Sequence, residues 1–275
     1  NTAIGHLALT TNTTGTQNTA VGAYALDANT TSNSNTGIGY QALGANTTGD
    51  HHAAVGTYAL YNNTTGVQNS AFGSTALYSN TTASNNTAVG FQALYSNTTG
   101  QWNTAVGSKA LDNNTDGQTN SCLGYQALTA NTGGDDNVAV GHEAMQSNTT
   151  GNRNVSLGRD ALTSNTTAND NVAVGYLAME DNTTGTRNTA VGAYALFNSI
   201  AHNDNTAVGY YALGTSTTGY ENTAVGRNAM ANLTTGCCNV AIGVQALNTA
   251  STAGNSVMVG MYAGQAITTG NANNA

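Results

Sequence analysis

One glycine recurs every seventeen residues along the whole chain. Within the motif "AVG" and its variants, this marker glycine falls at positions 5, 22, 39, 56, 73, 90, 107, 124, 141, 158, 175, 192, 209, 226, 243 and 260. Fixed periodicity without insertions is typical of a solenoid, in which each unit buries its apolar face on its neighbours. Sixteen tandem copies fill residues 1–272, and residues 273–275 begin a seventeenth, so we expect a segment of a longer array.

The segment "NTAVG" in each copy predicts a short β-strand. The residue before the marker glycine is always Val, Ile, Leu or Phe, and it shares a strand face with the residue two positions earlier. In the second copy we expect Val21 to point inward, with Thr19 on the same face and Ala20 facing the other way.

The segment "xxAL" after the glycine predicts a change of direction. Alanine stands three residues past the marker in every copy, and Leu or Met follows it in all copies except that of Gly264. Adjacent apolar residues cannot both face inward from a flat strand, so this piece is a corner or a single helical turn, and its composition favours the helical turn.

The segment "NTTG" then predicts a tight turn with its glycine at positive φ, as at Gly15, Gly49 and Gly236. The predicted fold class is therefore a β-solenoid (a parallel β-roll or β-helix). It has sixteen 17-residue coils, each with a short strand, a corner or helical turn, and an NTTG turn.

Stacking is needed for stability, because ordering one unit costs more free energy than burying its few apolar side chains returns. At ~4.8 Å per coil, sixteen coils would make a rod of about 75 Å. Equivalent residues would then form columns, and asparagine columns would exchange amide hydrogen bonds. One predicted column alternates in charge, and another would stack aromatic rings. The charged residues are Asp136, Arg153, Asp170, Arg187 and Asp204; the aromatic ones are Tyr61, Tyr78 and Tyr95.

The charge balance argues against two classes of partner. Only five residues are Lys or Arg, and the formal net charge is −8, which disfavours nucleic acid. No apolar run approaches the roughly 20 residues of a membrane-spanning helix. Cys122, Cys237 and Cys238 cannot form a disulfide framework and are interpreted as tolerated substitutions.

No catalytic, cofactor-binding or metal-binding residue is predicted. Asp135 and Asp136 are adjacent but are interpreted as a solvated turn rather than an acid pair. The five histidines show no metal-ligand spacing with Cys or carboxylates. They are His6, His51, His52, His142 and His202.

Nine "NTT" turns also form acceptor sequences for N-glycosylation. They begin at Asn12, Asn29, Asn46, Asn63, Asn80, Asn97, Asn148, Asn165 and Asn182. Two interpretations stand: a regularly glycosylated surface, or asparagines that serve the turn and its ladder.

The units "NTAVGYYALGTSTTG" (205–219) and "SVMVGMYAGQAITTG" (256–270) resemble repeats of tail-fibre-like proteins of phage and bacteria. They are less closely similar to head repeats of trimeric autotransporter adhesins, where an "N-[ST]-x-[AV]-[IV]-G" strand builds a parallel β-roll. The "VGFQAL" stretch at 89–94 also resembles the "IGxxAF" step of some bacterial leucine-rich repeats. The first two resemblances imply a fibre at a cell or virion surface, often trimeric, that spaces or performs attachment.

Three functional hypotheses follow, none of them enzymatic. The first is a structural shaft or filament subunit whose partner is itself, as a trimer or end to end. The second is an adhesin or receptor-binding fibre with many equivalent weak sites for cell-surface glycans or receptors. The third is ice binding through threonine columns. Thr13 and Thr14 argue against it, because they are adjacent and would point in opposite directions from an extended segment. The expected location is extracellular, at a cell surface or at a virion surface.

Overall fold

The computed structural model describes residues 1–270. Residues 273–275, the predicted start of a seventeenth copy, lie outside the described residues. The chain forms two compact units, one spanning Asn1–Asp136 and the other starting at Asn137.

Every repeat contributes one three-residue strand. The first unit contains β1 (Thr2–Ile4), β2 (Thr19–Val21), β3 (Thr36–Ile38), β4 (Ala53–Val55), β5 (Ser70–Phe72), β6 (Thr87–Val89), β7 (Thr104–Val106) and β8 (Ser121–Leu123). The second unit contains β9 (Val138–Val140), β10 (Val155–Leu157), β11 (Val172–Val174), β12 (Thr189–Val191), β13 (Thr206–Val208), β14 (Thr223–Val225), β15 (Val240–Ile242) and β16 (Val257–Val259).

Within each unit, sequence neighbours are spatial neighbours. The strands pair in parallel and in chain order, β1 to β8 and β9 to β16. The register advances by one repeat per strand, so that Thr19 pairs with Thr36 and Val21 with Ile38. The backbone N–H of Gly39 donates to the carbonyl of Val21 over 2.8 Å, which continues the ladder past the strand end. The predicted β-solenoid with seventeen-residue coils is confirmed.

The predicted orientation of the strands is wrong. From β2 to β16, the central residue of each strand faces the interior and the two flanking residues face outward, as in β2, where Ala20 is fully buried and Thr19 and Val21 are only half-buried. The reason is the width of the lumen. A Cβ added to Gly37, the central residue of β3, would lie 3.3 Å from Cγ of Leu26 in the preceding coil. The leucine of one coil therefore fills the space above the next strand, and the central residues of β2 to β15 are all small: Ala, Gly, Cys or Ser.

The predicted corner is confirmed, but the helical turn is wrong. No helix forms anywhere in residues 1–270. Instead, alternate residues of the corner adopt the left-handed conformation, as at Tyr24 (φ 58°) and Leu26 (φ 51°). This alternation turns both Ala25 and Leu26 into the interior, where both are fully buried. Their N–H groups pair within the turn and with the next coil: Ala25 with the Gly22 carbonyl, and Leu26 with the Ala42 carbonyl.

Two columns of buried asparagine run through the coils. The first, the strand ladder, lies four residues before each marker glycine; Asn86 Oδ1 accepts the backbone N–H of Asn103 over 2.9 Å. The second, the turn ladder, lies seven residues after it; Asn97 Nδ2 donates to Asn80 Oδ1 over 3.0 Å. Both ladders meet at one carbonyl, because Nδ2 of Asn86 and Nδ2 of Asn97 both donate to Gly100 O, over 2.9 and 3.0 Å. The predicted exchange of amide hydrogen bonds along the columns is confirmed.

The glycine of "NTTG" is present for a different reason from the one predicted. Gly15, Gly49 and Gly236 are not among the positive-φ residues. A Cβ at Gly100 would instead overlap the carbonyl oxygen of Gly117 and lie 2.6 Å from Asn97 Oδ1. The turn thus requires a small residue because the next coil and the turn ladder approach it closely.

Candidate functional site

The asparagines of the nine sequons are the turn ladder. Eight of them are fully buried and Asn12, in the first coil, is half-buried. The buried residues are Asn29, Asn46, Asn63, Asn80, Asn97, Asn148, Asn165 and Asn182. The amide nitrogen that would carry a glycan donates hydrogen bonds inside the coil, as Asn63 Nδ2 does to Asn46 Oδ1 over 2.7 Å. In the folded chain these side chains therefore serve the turn and the ladder, which was one of the two interpretations.

The charge column brings oppositely charged side chains together in the second unit. Arg153 holds Asp170 through two hydrogen bonds of 2.7 and 3.1 Å, and Arg187 holds Asp204 through two of 2.6 and 2.9 Å. In each pair, the arginine lowers the pKa of the aspartate from its usual value. All four side chains are largely exposed, so these pairs favour the register of the coils but contribute little stability. In the first unit, Asp136 accepts a hydrogen bond from the Thr119 hydroxyl.

Aromatic side chains line one surface of the first unit. Tyr78 stacks on Tyr61 at 5.5 Å and on Tyr95 at 5.1 Å between ring centroids, which confirms the predicted stack. Tyr58 joins this stack to a second row, with an edge-to-face contact to Tyr61 at 5.4 Å and another to Tyr40 at 5.3 Å. The Tyr40 ring is 43% exposed and therefore open to contact from outside the chain.

The outward face of the strands carries one column of large apolar side chains. The residue before each marker glycine lies on it, and Ile4, Phe72 and Leu123 are 61%, 42% and 52% exposed. The other outward column holds threonine in most coils of the first unit, including Thr19 and Thr36 as in-register partners. Sequence analysis did not identify this exposed face, because it predicted that the valines point inward.

A cluster that sequence reasoning missed lies in the second unit. His142 Nδ1 lies 3.8 Å from Glu143 Oε2 and 3.8 Å from Asp160 Oδ1. Among residues 1–270, this is the one group of three His, Cys or carboxylate side chains close enough to share a metal ion. The search for metal-ligand spacing around the histidines in the sequence did not find this group. The repeat period could have located this cluster in the sequence, because Glu143 and Asp160 are seventeen residues apart and are therefore neighbours in adjacent coils.

Charged groups surround this cluster. Arg159 Nε contacts the second oxygen of Asp160 at 3.0 Å, and the Arg159 guanidinium lies 5.9 Å from the ring centroid of Tyr176. Partial burial, together with the charges of Asp181 and Asp160, raises the pKa of Glu180. The cluster thus carries two carboxylates, with one arginine and a further acidic residue beside them.

Two other histidines are buried within the coils. His52 takes the place of an asparagine in the strand ladder: its Nε2 lies 2.8 Å from Gly66 O, and its Nδ1 accepts the backbone N–H of Asn69 over 3.2 Å. Burial lowers the pKa of His52 to about 4. His202 occupies the position of the NTTG glycine in its coil, and its Nδ1 lies 2.7 Å from Ser199 Oγ. Burial lowers the pKa of His202 as well.

The three cysteines are free thiols. Cys122 is the buried central residue of β8, and burial raises its pKa. Cys238 contacts Glu221 at 3.5 Å. A hydrogen bond with Cys237, followed by burial and the Glu221 contact, raises the pKa of Cys238 to about 11. The Cys238 thiol is therefore not activated as a thiolate at neutral pH.

The fold defines the class of protein: a parallel β-solenoid with one short strand per coil. No protein-family model matches the chain, and no curated protein is significantly similar to it in sequence. In the described part of the chain, no helix has the length and hydropathy needed to cross a bilayer.

Proposed function

We propose that this chain is a non-catalytic structural protein that forms the shaft of an extracellular fibre or filament at a cell or virion surface. The observation that carries the proposal is the repetition of one cross-section. The inner coils bury an alanine, a leucine or methionine and, in most coils, two asparagines at the same positions, and within each unit they hydrogen-bond to the coils before and after them. Length can therefore grow by adding units without any change in the cross-section.

Stiffness follows from the same contacts. The Asn97 side chain alone links its coil to the preceding one through Asn80 and to the following one through Asn114. Bending the stack at this point would break buried amide hydrogen bonds that water cannot replace without entering the interior. Such a stack suits a spacer that holds two ends at a fixed separation.

We propose that the partner of the chain is a further copy of itself. The outward strand face exposes a row of large apolar side chains that includes Ile4, Phe72 and Leu123. Contiguous exposed apolar surface is typical of an interaction surface, and its repetition suits a partner with the same repeat. A trimer, as the resemblance to fibre repeats implies, would bury this face; end-to-end association would instead pair the outermost coils.

Electron microscopy of length variants tests the proposal. Adding eight further 17-residue units is expected to lengthen the particles by about 38 Å at constant width, at ~4.8 Å per coil. Light scattering on the same samples gives the number of chains per particle, and Phe72→Glu is expected to lower it. Globular particles, whose diameter grows in all directions as units are added, would refute the shaft.

A second candidate is an adhesin with a multivalent binding surface for glycans or receptors. The exposed aromatic side chains favour it, among them Tyr40 and Trp102, which are 43% and 54% exposed. Aromatic faces are common platforms for ligand contact, and a row of them would bind by avidity. Binding to a glycan array that rises steeply with the number of retained units would favour this candidate. Binding independent of unit number would oppose it.

Ice binding remains a third hypothesis, and one observation bears on it. The outward threonines of adjacent strands, such as Thr19 and Thr36, are in register and form a column on the strand face. Ala53 and Ser70 interrupt this column in the first unit. The first threonines of the NTTG turns form another column, in which the Thr30 hydroxyl donates to the Thr47 carbonyl over 3.2 Å. A thermal-hysteresis assay decides the matter: no hysteresis at millimolar protein excludes ice binding.

A further inference from the structure

We propose that His142, Glu143 and Asp160 bind one divalent transition-metal ion of the zinc class on the second unit. The three side chains offer one imidazole nitrogen and two carboxylate oxygens, all within 4.8 Å of one another. This site goes beyond the structural role of the coils, since neither the fold nor the shaft proposal requires it.

The backbone brings the three ligands together before any ion arrives. His142 and Glu143 are the first two residues after Gly141, and Asp160 occupies the position of Glu143 in the next coil. The N–H of Asp160 donates to the carbonyl of His142 over 3.0 Å, which fixes the two coils against each other at this point. Glu143 and Asp160 both have a φ of 54°, so equivalent side chains leave equivalent backbone in the same direction.

Equivalent positions in the other coils lack these ligands. Glu143 and Asp160 are the only carboxylates in the sequence at the second position after a marker glycine, and no carboxylate stands at the first. They fall in consecutive coils, next to one of only two histidines found at the first position. The other is His6, which is followed by Leu7 and contacts the ring of Tyr24.

The distances are close to those that a tetrahedral ion requires. Zinc–ligand bonds of roughly 2.0–2.2 Å place adjacent ligand atoms about 3.4 Å apart. The imidazole nitrogen lies 3.8 Å from one oxygen of each carboxylate, so small rotations of these side chains close the site. His142 is 47% exposed and Asp160 is 15% exposed, so an ion can enter from solvent and keep water at its remaining position.

The donor set selects the class of metal. Calcium and magnesium prefer oxygen ligands throughout, whereas one imidazole with two carboxylates suits zinc and its neighbours in the first transition row. Two carboxylates neutralise the charge of a divalent ion. Arg159 binds the second oxygen of Asp160 at 3.0 Å, which leaves the first oxygen facing His142. Ligating carboxylates are commonly oriented by such an outer hydrogen bond.

Titration calorimetry with zinc chloride on the full chain tests the site. The experiment uses a parent protein in which Cys237 and Cys238 are serine, because adjacent thiols bind zinc themselves. The parent is expected to bind one zinc ion per chain. His142→Ala and Glu143→Gln are each expected to weaken this binding by about tenfold or more, since even outer partners of metal ligands contribute that much. His6→Ala, which removes a histidine of the same column with no carboxylate beside it, is expected to leave the affinity unchanged.

Visible absorption of the cobalt(II) form gives a second readout. The parent is expected to show bands of a low-symmetry site that saturate at one equivalent and disappear in Glu143→Gln, an isosteric change at the surface that leaves the coil intact. Circular dichroism confirms that each variant is folded. Either of two results overturns the proposal: equal zinc affinity in the parent and both ligand variants, or no saturable binding by the parent up to about 1 mM zinc.

Discussion

At the scale of single residues, the asparagines in the middle of the turn ladder are held from three directions. Asn114 Nδ2 donates to Asn97 Oδ1 over 2.8 Å and to Gly117 O over 2.9 Å, while its Oδ1 accepts from Asn131 over 2.8 Å. None of these groups is exposed to water. The stability of a coil therefore depends on an unbroken polar column inside an otherwise apolar lumen.

We predict that Asn114→Ala destabilises the protein by about 3 kcal/mol, because it leaves buried amide groups on both neighbouring coils without a partner. Its neighbour Asn113 is exposed, so Asn113→Ala is the matched control and is expected to change the free energy of unfolding by less than about 0.5 kcal/mol. Urea unfolding of the two variants measures the difference. Equal effects would show that the ladder is not a source of stability.

The buried His52 makes stability depend on pH in a defined window. The neutral ring is suited to its surroundings, since one nitrogen faces the Gly66 carbonyl and the other accepts the Asn69 N–H. Its pKa is about 4 in the folded chain, against 6.5 for an exposed histidine. Above pH 6.5 both states are neutral. As pH falls from 6.5 to 4, the unfolded chain takes up the proton first, so stability is lost across that range.

We predict that the free energy of unfolding falls by about 2.5 kcal/mol less in His52→Asn than in the parent when the pH is lowered from 7.5 to 4.5. This variant restores the asparagine that is usual in the column. His51 is exposed, so His51→Asn serves as the control and is expected to keep the parental pH dependence. Guanidinium unfolding at the two pH values measures both. A parental pH response in His52→Asn would contradict the assignment.

At the scale of elements, the marker glycine allows the strand to pass into the corner. Gly90 has a φ of 133°, a region that side chains rarely adopt. A Cβ there would lie 2.5 Å from the carbonyl oxygen of Gly107 in the next coil, which is backbone and cannot give way. Conformation and close approach thus exclude any other residue at this point.

We predict that Gly90→Ala costs at least about 3 kcal/mol of stability. Gly133→Ala is the control, because its added Cβ meets only the flexible end of the Asp116 side chain at 3.0 Å. Its cost is expected to stay below about 1 kcal/mol. Thermal unfolding of both variants gives the comparison, and similar midpoints would refute the account of the corner.

The sequence predicted the elements better than it predicted their faces. Periodicity located the strand around Val21, but a three-residue strand gives alternation too short to show which face is inside. Ala20 faces inside because Leu26 and its equivalents fill the lumen, a fact of packing between coils. The helical turn failed for a similar reason: the local preference of "YQAL" for helix was overridden by N–H groups that bond to neighbouring coils.

At the scale of the whole molecule, the seventeen-residue period decides which residues meet. The charge pairs were predictable because the period was applied to that column. The cluster of His142, Glu143 and Asp160 was missed because metal-ligand spacing was sought within local motifs rather than between coils. In a stacked array, spacings of about one period are as informative as short motifs.

We predict that the array tolerates loss of one whole unit. Deleting residues 86–102 joins Asn85 to Asn103 and keeps every column in register, so the protein is expected to fold with a modestly lower unfolding midpoint. Deleting residues 86–93 instead moves the later coils of the first unit out of register with the earlier ones. This deletion is expected to abolish the cooperative unfolding of the first unit. Circular dichroism melts compare the two, and equal melting behaviour would contradict stacking in register.

Pulsed electron–electron distance measurement in the first unit tests the stack most directly. Spin labels on exposed positions of one column, in a cysteine-free background, would pair Thr31 with Thr99, Thr14 with Thr99, and Thr14 with Asp116, spanning four, five and six coils. We predict distances near 19, 24 and 29 Å, a gain of about 4.8 Å for each coil added. Distances that do not rise by one strand spacing per seventeen residues would contradict the account.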